Sequence, residues 1–77
     1  MPRIRTHEVV SELVANVLAV DCAEGDRVAV GDAVVLLESM KMEIPVLCDV
    51  AGTIAELRVS VGDVVQDGSV LVVVQPG

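Results

Sequence analysis

The chain has 77 residues, 53% of them apolar, no Phe, Tyr or Trp, and a net charge of −7 from 5 Lys and Arg against 12 Asp and Glu. That length allows one domain, spanning 1–77, with a marginal core and no sizeable enzyme cleft. The acidic balance and missing aromatic faces exclude nucleic-acid binding, and a basic membrane-surface patch is missing too.

Residues 1 to about 8 read as a loose N-terminus before a core of about 9–75. Arg3 and Arg5 mimic the start of a signal peptide, but Glu8, Glu12 and Asn16 interrupt any apolar stretch behind them. A cytoplasmic protein is therefore expected. His7 has no His or Cys partner at ligand spacing, so it reads as a solvated terminal residue and no metal site is expected. Glu8 to Val20 reads as strand, because Val9, Val10, Val14, Val17 and Val20 dominate it and β-branched side chains favour strands. A short helix is the alternative there on pattern alone. Cys22 and Cys48 are far apart with no CxxC and read as small buried hydrophobes rather than a disulfide. Gly25, Asp26, Gly31, Gly52, Gly62, Asp63 and Gly68 are the expected turn residues between short strands. The longest apolar runs are Ala33–Leu37 and Val70–Val74, five residues each. A membrane-spanning helix needs about 20, so no membrane span is expected.

The chain repeats itself. Gly25, Asp26, Val28 and Gly31 recur 37 residues later as Gly62, Asp63, Val65 and Gly68. The flanks follow the same shift, with Val17 over Ile54, Val20 over Leu57 and Val35 over Val72. Two strand-turn-strand units that cannot bury a face alone can bury one against each other. The expected fold is all-β, a flattened barrel-sandwich of two antiparallel sheets with approximate two-fold symmetry. Symmetry then makes Glu38 to Val46, which links the copies, a hairpin at one end, with the termini at the other.

The tight turn of that hairpin should fall at Met40-Lys41. Two-residue hairpins favour Asn-Gly or Asp-Gly, because their turns need positive φ, and Met-Lys meets neither preference. A broken local rule is where function is expected. Met40 and Met42 either present an adaptable binding surface or fold back into a core that lacks aromatics. Lys41 has no burial or neighbouring cation to make it a nucleophile, and Glu38 and Glu43 lie close to it in sequence. It reads as a residue acted upon by another enzyme.

The segment "ESMKMEIPV" resembles the modification site of biotinyl domains, the biotin carboxyl carrier modules of biotin-dependent carboxylases. The resemblance runs from about Val9 to Val74 and includes Gly52-Thr53-Ile54 and both Gly-Asp pairs. Ser39 stands where the family usually has Ala. Cys48-Asp49 stands where it often has Ala-Pro, with Pro45 available to stiffen the returning strand. The short spacing from Val28 to Val34 makes it the type without a thumb insertion.

The resemblance implies that Lys41, in the tight hairpin turn, carries covalent biotin. Glu38, Ser39, Met40, Met42 and Glu43 would be recognised by a biotin protein ligase. The arm would then carry carboxyl groups from a biotin carboxylase site to a carboxyltransferase site, with an acyl-CoA as the expected acceptor. The chain itself would be a non-catalytic carrier, monomeric in isolation. One alternative is a lipoyl carrier, though lipoyl domains usually have Asp before the lysine and a small residue after it. Another is an unmodified barrel-sandwich adaptor like those of efflux-pump membrane-fusion proteins, which usually lack the lysine. An enzyme in its own right would need a nucleophile-base pair, a metal cluster or a phosphate loop, and the sequence has none of these.

Overall fold

The computed structural model describes residues 5–77. Eight strands follow in chain order: β1 (His7–Val10), β2 (Ala15–Val20), β3 (Arg27–Val28), β4 (Ala33–Ser39), β5 (Met42–Leu47), β6 (Gly52–Leu57), β7 (Val64–Val65) and β8 (Val70–Pro76). They form two four-stranded antiparallel sheets, ordered β1-β8-β6-β3 and β5-β4-β2-β7. The 37-residue shift turns one sheet into the other, strand for strand. Even the irregularities match. A bulge between Val17 and Ala19, opposite β4, recurs between Ile54 and Glu56, opposite β8.

The two halves hold each other through their turns. The Gly25 amide donates to the Ile54 carbonyl, and the Ile54 amide donates to that of Asp26, both at 2.8 Å. In the two-fold-related pair of bonds, Gly62 donates to Val17 at 2.9 Å and Val17 to Asp63 at 2.8 Å. Each Gly-Asp turn is thus pinned to the middle strand of the other half, so neither half satisfies its own backbone. The turns need Gly because φ is +92° at Gly25 and +94° at Gly62. Asp26 and Asp63 hold them closed, each accepting a 2.9 Å bond, from the amides of Ala23 and Ser60.

Between the sheets lies a thin layer of Val, Leu and Ile. Val17, Val34, Val35, Leu37, Ile54, Leu71, Val72 and Val74 are fully buried. β-branched side chains fill such a slab without needing aromatic bulk, which explains a Val-rich core in a chain lacking Phe, Tyr and Trp. Pro45 sits exposed on the edge strand β5, opposite Leu36, and removes one amide from an edge open to foreign strands.

Two sequence expectations change here. The single strand over Glu8–Val20 is two strands in different sheets. The break is made by Ser11, 1% exposed, whose hydroxyl donates to the Leu13 carbonyl at 2.7 Å and accepts from the Leu13 amide at 3.3 Å. The loose N-terminus also ends sooner than residue 8. His7 already pairs with Val74 in β1, and its Nε2 lies 2.7 Å from Asp49 Oδ1. The rest of that expectation, residues 1–4, lies outside the described residues.

Candidate functional site

β4 and β5 pair in unbroken register from Val35 opposite Val46 up to Ser39 opposite Met42, leaving Met40 and Lys41 as a two-residue turn. Both have positive φ, 52° and 64°. This is the primed geometry that matches the twist of a hairpin, built here from two residues that disfavour it. Each such residue costs roughly 1–2 kcal/mol. Met40 is 91% and Met42 64% exposed, so neither folds back into the core.

Lys41 is exposed and forms no ion pair within 4.0 Å among the described residues. Glu38 and Glu43 face each other directly across the two strands. Like charges in that position are destabilising. Ser39 is half-buried beside the turn. The tip therefore combines a free primary amine, two exposed thioethers, a strained turn and an unrelieved acidic pair. The pseudo-symmetric positions have none of this, since Met40 corresponds to Gly77 and Glu38 to Gln75.

Of the expected turn residues, Gly25, Asp26, Gly31, Gly62, Asp63 and Gly68 lie between strands, and Gly52 does not. Gly52 opens β6, buried, with Val28 on one side and Pro76 on the other. Its φ is not positive. A Cβ there would stand 2.8 Å from both Gln75 C and Pro76 Cα and would run into the Gln75 carbonyl oxygen. Close approach of two backbones, rather than a special turn, makes this position glycine.

Both cysteines are free thiols. Cys48 is buried and its Sγ donates to the Val50 carbonyl at 3.0 Å. It is the counterpart of Ser11, whose hydroxyl makes the same bond to Leu13. Cys22 is half-buried, and burial, then Asp26, Asp21 and Cys48, push its thiol above the usual range. No group of three metal-ligating side chains occurs among the described residues. No described helix is long and apolar enough to cross a membrane. Sequence reasoning missed one surface feature, the exposed Val14, Val61 and Val64. Comparison of the two repeat copies, position by position, could have found it.

The family described as biotin-requiring enzyme, the biotin/lipoyl family, matches residues 6–74. The chain belongs to this family. Among its biotin/lipoyl relatives is the biotinylated protein TB7.3 homolog of Mycobacterium leprae. The two are 55% identical over 67 residues, covering 87% of this chain and 94% of the relative. The biotin/lipoyl attachment protein of Bacillus subtilis is 40% identical over 60 residues, covering 78% and 82%. A solved single-chain, multi-domain long-chain acyl-CoA carboxylase contains a similar domain, with TM-score 0.88 and 28% identity. The match covers 94% of this chain and 7% of the carboxylase.

Proposed function

We propose that this biotin/lipoyl domain is a biotin carboxyl carrier, with biotin joined by an amide to Lys41. One observation carries the assignment to that residue: Lys41 stands free at the tip of a strained two-residue turn between exposed methionines. The residues fit such a group. An exposed amine at a hairpin turn can enter a ligase active site, and nothing among the described residues covers it.

When bound, biotin would supply a ureido nitrogen able to carry a carboxyl group between a biotin carboxylase and a carboxyltransferase. Everything else falls to the chain. The rigid sandwich holds the attachment point at one end, and tethering raises the effective concentration of the group at each partner site. Glu38, Ser39, Met40, Met42 and Glu43 form the surface that a biotin protein ligase would read around the amine. Amide formation removes the Lys41 charge and takes the net from −7 to −8. An acyl-CoA is the acceptor this reading favours, supported by the likeness to the long-chain acyl-CoA carboxylase domain. Free thiols support a cytoplasmic setting, and the carrier is expected to be a monomer in isolation.

A second reading, a lipoyl carrier, is favoured by the 40% identity to a biotin/lipoyl attachment protein. Intact-mass measurement after incubation with biotin ligase, ATP and biotin tests the first. The wild type should gain a single biotin and Lys41→Ala none. If the folded wild type gains nothing from a ligase active on a control substrate, the biotin reading fails. Lipoate ligase then decides the second.

A further inference from the structure

The pseudo-two-fold provides an internal control. Each surface position near Lys41 has a counterpart 37 residues away on an equivalent strand or turn. A chemical difference between the two is therefore not demanded by the fold. Val14, Val61 and Val64 are 63%, 66% and 67% exposed. Their counterparts are Ala51, Glu24 and Arg27, all exposed as well. The end that carries the lysine is thus apolar where its twin is small or charged. Val30, with Asp67 as its counterpart, is the one exposed valine that runs the other way.

Val64 shares one sheet face with the acidic residues beside the lysine. Val64 lies opposite Asn16, Asn16 opposite Glu38, and Glu38 opposite Glu43, a row across all four strands of the sheet. At ordinary strand spacing the row is roughly 14 Å wide. Val14 lies two residues before Asn16, and Leu18, 39% exposed, two residues after it. Val61 precedes Gly62, whose amide is bonded to Val17. The result is an apolar patch around Asn16 with an acidic border, Glu38 and Glu43, on the side of the lysine.

We propose that this patch is the docking surface for the ligase that loads Lys41, and that the ligase meets it with apolar side chains rimmed by Lys or Arg. The proposal rests on the carrier reading above. Reach selects the ligase over the later partners. A bare lysine amine stands only about 6 Å from its Cα, so the modifying enzyme must close onto the end of the domain. A biotinylated arm extends roughly twice as far, and its partners can work from a distance. A standard interface takes about 800 Å² per side, a disc of roughly 16 Å radius. The domain is only 19 × 17 Å across its long axis. An interface centred on Lys41 therefore includes the row from Glu43 to Val64.

The test exchanges each valine for its own counterpart: Val14→Ala, Val61→Glu and Val64→Arg together. Net charge is unchanged, and equivalent backbone positions already carry these residues. With a ligase that modifies the wild type, KM for the carrier should rise about tenfold while kcat stays within roughly twofold. Val30→Asp, the equivalent exchange at a position outside the patch, should change neither. If the triple variant does not fold, Val14→Ala alone should still raise KM measurably. An unchanged KM in a folded variant overturns the proposal. So does sedimentation showing that the wild type dimerises and the variant does not, because a second copy then covers the patch. Absence of any biotin gain by the wild type would sink the carrier reading instead, and that outcome is separately visible by mass.

Discussion

Met40→Asn with Lys41→Gly gives the turn the residues its backbone asks for. At φ of 52° and 64°, two ordinary residues carry about 1–2 kcal/mol each of left-handed strain. Asn relieves part of it, and Gly relieves all of it but returns roughly 0.5–1 kcal/mol through the entropy of the unfolded chain. The pair should therefore stabilise the domain by about 1–2 kcal/mol. For a domain of this size, each kcal/mol moves Tm by roughly 4–8 °C, so the midpoint should rise by about 10 °C. Calorimetry reads this directly, and urea unfolding with an unchanged m-value shows that the surface exposed on unfolding is the same. On the proposed assignment the variant has lost its attachment amine, so stability and function should move in opposite directions. Met40→Asn alone keeps the lysine. It should raise Tm by roughly half as much and lower kcat/KM for the ligase. A Tm equal to or below that of the wild type would refute the claim that the tip is held under strain.

Gly52→Ala should destabilise by roughly 3 kcal/mol or more, because a Cβ 2.8 Å from Gln75 C and Pro76 Cα forces β6 and β8 apart. Lys41→Ala should cost under about 0.5 kcal/mol by the same urea assay. Cys48→Ser should be nearly neutral, since the serine can make the bond that Ser11 makes in the other half. Cys48→Val should lose about 1 kcal/mol by leaving the Val50 carbonyl without its partner. Cys22 should alkylate more slowly than a free thiol at pH 8, because its raised pKa keeps it protonated there. The rate should climb as pH passes the usual thiol range, and Asp26→Asn should speed the reaction at fixed pH by removing one of the causes.

Much of the architecture is legible in the chain because it is written twice. The Gly-Asp turns at 25–26 and 62–63 and the valine flanks mark the strands and their two-fold relation. The Met40-Lys41 turn follows from that symmetry and from the apolar runs on either side. The break at Ser11 is not legible, since a buried serine bonded to its own neighbours looks the same in sequence as one facing water. Gly52 reads as a turn residue for a similar reason, yet it opens β6. A glycine needed for φ and one needed for close approach are one letter. His7 reads as part of a loose end because its partner, Asp49, is distant in sequence.

The sequence by itself determined the class of fold, the symmetry and the position of the lysine, because these depend on local periodicity, turn chemistry and repetition. The tertiary structure alone decided what surrounds each of them. It showed that Met40 and Met42 point outward, and that Glu38 faces Glu43. It also showed that Gly52 is gripped between β3 and β8, and that Val64 shares one sheet face with Glu38 and Glu43. Each of these depends on register across strands, where a shift of one residue reverses every side chain. Register is settled only when both sheets close over a shared core.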